Sequence, residues 1–341
     1  MTGPLPPRER RFYLAQFTGR TLVVAAADDV AADTVDACIA DLVAEGVRVV
    51  LLATGGRVAH WQPDDAGIVS VWRQLRRHGR MRIALPTDHD IHGAAVALAM
   101  RLRAFKLVLL TSDLARPGVD QRPESFVTLD PGDSTGEGGL AMAARALAGG
   151  VATVNLCHPA DLAEELLTYA GAGTCVTLQD YCRVDRLGID DFPQVAELIG
   201  WGVEEGYLKS RDDDALARLV VNGYGARVGD HHLAGFAALL TEPYADQHTA
   251  EVCALTTISR FAGGGVGARV VDRMLADAVA EDLRSVFACT TAEPAARFFR
   301  RLGFVEVPQA EVPEEKWRDY DPDRRPDVRT FVHHLSMLGV W

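Results

Sequence analysis

Residues 251–271 read EVCALTTISRFAGGGVGARVV, and this stretch decides the architecture of the second half of the chain. Glu251 to Ile258 reads as a strand. Gly263-Gly264-Gly265-Val266-Gly267 is a glycine-rich turn. From Val266 to Asp282 apolar residues fall at Val266, Val270, Val271, Met274, Leu275 and Ala278, the spacing of a helix that buries one face. The first amides of such a helix have no intrahelical acceptor, and its dipole favours negative charge there. Glycines before it let an anion approach the backbone, so the stretch can cradle a pyrophosphate. A plain flexible turn is the competing reading. No Gly-Lys-Ser/Thr follows, which excludes a Walker loop, and the surrounding strands are not the simple βαβ unit of a dinucleotide fingerprint.

Working outward, Cys182 to Leu187 is a strand with polar alternation, and Asp190-Asp191 opens a helix over Phe192 to Glu205. Leu216 to Ala226 leads into Arg227-Val228. Gly229-Asp230 then stands before the run Leu233–Leu240, a hairpin signal. Ser285 to Thr290 is a strand, Pro294 to Leu302 a helix, and Gly303-Phe304 turns into a last strand. This is a mixed α/β domain with antiparallel hairpins. The first half differs. Apolar strand runs at Thr21–Ala27, Val47–Thr54, Arg82–Leu85, Lys106–Thr111, Ser125–Leu129, Val151–Leu156 and Thr174–Leu178 alternate with helical patterns such as Asp65–His78 and His92–Phe105. Continuous apolar strands between helices predict a mainly parallel sheet covered on both faces, an αβα sandwich. The pattern changes near Gln179, which divides the chain into domains at 1–179 and 180–341.

Composition narrows the function classes. With 48% hydrophobic and 24% charged residues the chain is ordinary globular protein, and its 341 residues suit two domains. The net charge of −12 argues against nucleic acid or an anionic membrane as partner. No apolar run approaches the ~20 residues of a membrane span. Met1 to Phe17, with three prolines and no apolar core, does not read as a secretory signal. Six cysteines without CxxC pairing read as free thiols in a reducing compartment, so a cytoplasmic location is expected and a zinc site is not. Asp88-His89-Asp90-Ile91-His92 holds metal-ligand residue types, but Asp90 before a helix reads as an N-cap and no metal is expected. Asp212-Asp213-Asp214 reads the same way. His231-His232 and His333-His334 read as solvated.

The order of hairpin, Glu251 strand, glycine turn, helix, strand ending in Thr290-Thr291, and then FFRRLGF (Phe298–Phe304) resembles the GNAT N-acetyltransferase superfamily. That superfamily holds the pyrophosphate of acetyl-CoA on such a turn. Its turn usually begins with Gln or Arg, where this chain has Ala262. Three further stretches resemble the N-acetylglutamate synthase family in particular: Phe192–Arg211 (FPQVAELIGWGVEEGYLKSR), Glu251–Val271, and Arg318-Asp319-Tyr320 followed by Arg324-Arg325. Residues 149–177 are similar to the end of that family's amino-acid-kinase-like domain. The resemblance implies a shortened amino-acid-kinase-like domain followed by a GNAT domain, with acetyl-CoA as co-substrate, L-glutamate as acceptor and a homo-oligomer built through the first domain.

The resemblance also implies roles. Glu251 would take the proton of the substrate ammonium, directly or through water. Thr290 stands where the family has an active-site serine and would orient water or the departing thiolate. Backbone groups of Leu255, Thr256 and Thr257 would hold the acetyl arm, and Gly263, Gly264, Gly265, Val266 and Gly267 the pyrophosphate. Leu208, Arg211, Ala254 and Arg325 would line the acceptor site, the arginines as bidentate partners of carboxylates. Ser210 replaces one of two arginines common in the family, and Pro326 or Asp327 replaces a serine. These departures bear on which amino acid is accepted. The first strand, TLVVAAADD, lacks the lysine and glycines that kinase chemistry needs, so the first domain reads as non-catalytic, with oligomerisation or effector binding as its role. Two other readings stay open: an N-acetyltransferase for another acidic or amino-acid-like amine, and a non-enzymatic regulator that binds acetyl-CoA or an amino acid.

Overall fold

A computed structural model describes residues 5–26, 32–55, 64–111, 124–130, 138–178, 182–228, 232–261, 265–318 and 320–335. The chain divides into two compact units, one comprising Met1–Cys182 with Val228–His232 and the other Arg183–Arg227 with Leu233–Trp341.

The first unit opens with a helix that the proline-rich start conceals. α1 (Pro7–Phe17) places Pro7 in its first turn, where the missing N–H costs nothing, and buries Phe12, Tyr13, Leu14 and Phe17. β1 (Thr21–Ala26), α2 (Ala32–Ala44), β2 (Arg48–Thr54), α3 (Asp65–His78), β3 (Arg80–Leu85), α4 (Ile91–Leu102), β4 (Lys106–Leu110), β5 (Phe126–Leu129), α5 (Gly139–Ala148), β6 (Thr153–Cys157), α6 (Leu162–Leu167) and β7 (Thr174–Leu178) follow. The sheet order is β3-β2-β1-β4-β6-β7-β5. Neighbours run parallel except β6 and β7, which are antiparallel. α4 and α5 seal a core of Val23, Val50, Leu52, Leu107, Leu109 and Val154. Asp90 caps α4 by accepting the Gly93 N–H at 2.8 Å. His92 lies 3.2 Å from the Leu110 carbonyl oxygen.

A buried polar network stands among these apolar strands. Lys106 is 1% exposed and donates to Thr153 Oγ1 at 2.8 Å and to Asn155 Oδ1 at 2.6 Å. Asn155 donates in turn to Glu165 of α6, and Glu165 Oε2 accepts the backbone N–H of Ala172 (3.0 Å) and Gly173 (2.7 Å). Gly173 sits so close to β6 that a methyl group there would come 2.2 Å from the Leu156 carbonyl oxygen. Lys106 opens β4, so it lies at the amino ends of the parallel strands. Open α/β sheets bind ligands at the opposite, carboxyl ends, so this lysine serves the fold.

The second unit is built on β8 (Cys182–Arg186), α7 (Phe192–Glu204), α8 (Asp213–Val221), β9 (Gly223–Val228), β10 (His232–Leu240), β11 (Thr249–Thr257), α9 (Val266–Ala280), β12 (Ser285–Thr290), α10 (Glu293–Arg301), β13 (Val305–Val307) and β14 (Arg329–His334). Its sheet runs β13-β14-β12-β11-β10-β9-β8. β11 and β12 form a parallel pair joined by α9, as a parallel crossover requires; β10 with β11, β12 with β14, and β13 with β14 are antiparallel. Asp212 caps α8, accepting the Ala215 N–H at 2.8 Å. The Gly229-Asp230 turn lies outside the described residues. His232 is buried, and His333 packs its ring 5.2 Å from that of Phe304, so neither is the solvated histidine that the sequence suggested. All six cysteines are free thiols. None of the described helices is long and apolar enough to cross a membrane.

Candidate active site

The parallel ladder between β11 and β12 begins at Thr249↔Ser285 and stops at Val252↔Ala288. β11 continues to Thr257 paired with β10 alone, and β12 continues to Thr290 paired with β14. The two central strands therefore part beyond Val252, leaving backbone groups of β11 facing a split in the sheet. The parting coincides with a bulge. Gly235 and Phe236 oppose Thr257 and Thr256, but Ala238 opposes Cys253, so β11 carries one extra residue here. Ala254 takes it up with φ = 53°, in the left-handed region that non-glycine residues seldom enter. Replacing Ala254 by glycine is expected to raise thermal stability, because the L-residue costs roughly 1–2 kcal/mol in this conformation. Ala254→Val is expected to lower it by about 1–3 kcal/mol. Calorimetry on both variants checks the pair.

α9 starts beside the split. Gly265 is its N-cap, with φ = 75° and no side-chain cap. A side chain at Gly265 would meet nothing within 4 Å, so the N-cap of the helix is exposed there. Gly267 is needed for packing instead: a methyl group there would lie 3.2 Å from Thr257 Oγ1 and 3.5 Å from the Phe298 ring. Val266 is buried. Gly263 and Gly264, expected to share in holding pyrophosphate, lie outside the described residues. Gly265, Val266, Gly267 and Thr257 are thus brought together. Leu255 is half-buried and Thr256 buried farther back on the same strand.

Glu251 is 4% exposed. Its Oε2 accepts the Tyr244 hydroxyl at 2.8 Å, and its Oε1 accepts the Lys316 ammonium, whose side chain is also largely buried. Burial alone would lower the pKa of Lys316. The charge and hydrogen bond of Glu251, together with Cys289 and Cys253, outweigh this and hold it above the ordinary lysine value. Tyr244 is pushed up by burial first and by Glu251 second. Cys253 on β11 and Cys289 on β12 belong to the same cluster. Both thiols are raised to about 12, by burial first, with Glu251 adding to the rise and Lys316 opposing it. The positive charge of Arg211 also acts on Cys253, which places Arg211 near this face of β11. Its own hydrogen bond is to the Lys209 carbonyl, at 2.9 Å.

The other expected residues are distributed as follows. Thr290 Oγ1 accepts the Ala292 N–H at 3.0 Å, so its hydroxyl hydrogen is still able to donate at the end of β12. Leu208 packs on Gly202 of α7 and donates its N–H to the Gly202 carbonyl at 2.9 Å. Arg325 lies in the turn before β14. It is exposed, its guanidinium lies 4.6 Å from the Trp317 ring centroid, and its Nε donates to Gln309 Oε1 at 3.3 Å. It makes no hydrogen bond or ion pair with Glu251, Thr290 or Arg211. Residues 308–318 and 320–328 fold onto the sheet, with Val312, Trp317 and Val328 packed against Tyr244, Phe287 and Val332. That packing delivers Lys316, which the sequence reading passed over, as it did Tyr244.

Residues 189–304 match the model of the "Acetyltransferase (GNAT) family". The amino-acid acetyltransferase of Vibrio atlanticus is 28% identical over 167 residues, which cover 49% of this chain and 36% of the relative. The amino-acid acetyltransferase of Pseudomonas putida is 28% identical over 192 residues, 55% of this chain and 43% of the relative. The chain spans about two fifths of the length of these relatives. The fold is similar to that of the crystal structure of N-acetylglutamate synthase from Neisseria gonorrhoeae complexed with coenzyme A and L-arginine, with a TM-score of 0.60 at 20% identity, covering 96% of this chain and 98% of the other.

Proposed function

We propose that the chain is an acetyl-CoA-dependent N-acetyltransferase acting on the α-amino group of L-glutamate. The observation that carries this is the split between β11 and β12, with Glu251 on the paired stretch just before it, Thr290 at its far edge and the exposed N-cap of α9 at its end. The amides of Gly265, Val266 and Gly267 are the donors for the pyrophosphate of acetyl-CoA, as the exposed N-cap at Gly265 permits. Backbone groups of Leu255, Thr256 and Thr257 on the freed edge of β11 hold the arm and polarise the thioester carbonyl. Acetyl-CoA supplies the activated acetyl group. Glu251 receives the proton released as the acceptor ammonium becomes the attacking amine, directly or through water. The Thr290 hydroxyl donates toward water or the departing thiolate. Arg211 adds a second cation to a cluster with one carboxylate, which suits an acceptor bearing carboxylates.

A second acceptor class has its own support. Ser210 stands where the resemblance leads one to expect an arginine, Pro326 or Asp327 where it leads one to expect a serine, and Arg325 is engaged with Trp317 and Gln309. Another acidic amine therefore remains the alternative within the same chemistry. For the first unit we propose a non-catalytic role in assembly or effector binding, since its buried Lys106 lies at the wrong end of the sheet for phosphate.

The test is coenzyme A release from acetyl-CoA across a panel of amino acids, with products identified by mass spectrometry. Turnover with L-glutamate is expected to exceed that with the other amines. Acetyl-CoA at 100 times its Kd is expected to stabilise the protein by about 2.7 kcal/mol, read as a rise in Tm. Acetyl-CoA binding without turnover of any amine would replace the enzyme with a regulator. No binding at all would remove the assignment of the α9 turn.

A further inference from the structure

The first unit carries a groove apart from every residue assigned to acetyl transfer. It lies at the amino ends of β1 and β2, among the closing turns of α2, α3 and α4, and measures about 690 Å³. That is within the roughly 300–1,000 Å³ of small-molecule sites. Its apolar lining includes Val43 of α2, Leu75 of α3 and Leu102 of α4. Trp72 of α3 lines it too and is 54% exposed, although tryptophan is on average well buried. Two cations complete it, Arg48 at the start of β2 and Arg76 on α3. The charge is one-sided. In a chain of net charge −12, none of the described residues lining the groove is acidic. The Arg76 guanidinium lies 5.3 Å from the Trp72 ring centroid, a cation–π contact that fixes its place without supplying a counter-ion. Arg48 donates one Nη to the Gly19 carbonyl, and its other N–H groups remain for a ligand. Neither arginine forms an ion pair with a described residue. Helix C-termini favour cations, but here the Leu42, Leu75 and Ala99 carbonyls already accept the N–H groups of Val47 (3.0 Å), Gly79 (2.9 Å) and Ala104 (2.9 Å). Lys106 is sealed in the sheet and bonded to Thr153 and Asn155, whereas Arg48 and Arg76 are exposed.

We propose that this groove binds a small aromatic anion, with its ring against Trp72 and the apolar lining and its carboxylate or phosphate on Arg48 and Arg76. Guanidinium forks match the oxygens of both anions and also stack on flat rings. A cationic ligand would meet two like charges with no carboxylate to receive it. The groove is built by helix ends, outside the crevice at the carboxyl ends of the strands where open sheets hold their principal ligand. Its occupant is therefore an effector, the role proposed above for the first unit. Binding is read without acetyl transfer, so the enzymatic reading and this one fail separately.

The experiment is fluorine NMR of para-fluorobenzoate and para-fluorophenyl phosphate titrated with the full chain. At least one of the two anions is expected to broaden on binding, and the tighter of them tells a carboxylate-bearing ligand from a phosphate-bearing one. Para-fluorobenzyl alcohol, which keeps the ring without the charge, is expected to bind at least about tenfold more weakly, and para-fluorobenzylamine more weakly still. Arg48→Met and Arg76→Met are each expected to weaken the anion about 10- to 100-fold, the worth of a hydrogen bond to a charged group. Trp72→Ala is expected to weaken it as well, and Trp72→Phe, which keeps a flat ring, to retain most of the binding. The Tm of each variant is measured first, and if Arg76→Met does not fold, Arg48→Met decides. Binding unchanged in the folded arginine variants would overturn the proposal, because the anion would then sit elsewhere. Alcohol bound as tightly as the anion would overturn it too, leaving only an apolar groove. So would tighter binding of the amine, or no broadening of either anion.

Discussion

Glu251→Gln is expected to lower kcat/KM by about 100- to 10,000-fold, the range over which a positioned general base contributes. The amide is nearly the same shape and can still accept the Tyr244 hydroxyl, so the groove keeps its form. It cannot take the proton. The size of the effect depends on how the ammonium otherwise loses it, because water in an open groove can substitute in part. Removing the carboxylate also leaves Lys316 buried beside a neutral amide. An uncompensated buried charge costs several kcal/mol unless the group becomes neutral, so the thermal stability of the variant is measured first. Kinetics are then compared at a temperature where both proteins are folded. If a folded Glu251→Gln variant kept most of the wild-type kcat/KM, the base would have to be sought elsewhere along the split.

The second large effect concerns the first unit. Glu165→Ala is expected to destabilise the protein by about 3–5 kcal/mol, the usual cost of removing one partner from a buried charged network. For a unit of this size the loss in Tm is on the order of 10 °C. Three consequences of the substitution add up. The N–H groups of Ala172 and Gly173 lose their acceptor. Asn155 loses the oxygen that orients its amide. Lys106, buried and bonded to Thr153 and Asn155, loses the carboxylate at the end of its chain of hydrogen bonds. A fall of less than about 3 °C by calorimetry would show that the network is neutralised some other way.

Much of this architecture is legible in the sequence because burial leaves a periodic record. The strand runs of both halves and the apolar stripe of α9 follow from spacing, and the caps at Asp90 and Asp212 follow from residue type. Other features leave no such record. α1 hides behind Pro4, Pro6 and Pro7, although Phe12, Tyr13 and Phe17 bury its inner face. β7 runs against β6, and a strand buried on both faces reads the same in either direction. At the site, Glu251 and the glycine turn stand out by type and place. The Lys316 pairing spans 65 residues, and local pattern cannot report so distant a contact. Arg325 shows the opposite difficulty: a motif locates the residue but not its side chain, which Trp317 captures. Ala254 carries no signal at all, since alanine is not the residue that a positive φ calls for.

That alanine has one more consequence. Glu251 and Thr257 are an even number of positions apart, and on an unbroken strand they would point the same way. The extra residue reverses the alternation between them. Thr257 is thereby turned to meet Gly267 of α9, while Glu251 meets Tyr244 and Lys316. One strand serves two sides of the sheet within seven residues. What matters at this point is a count of residues more than their identity: an insertion or deletion here, harmless in a loop, would turn one of the two side chains to the wrong face, taking Glu251 from Tyr244 and Lys316 or Thr257 from α9.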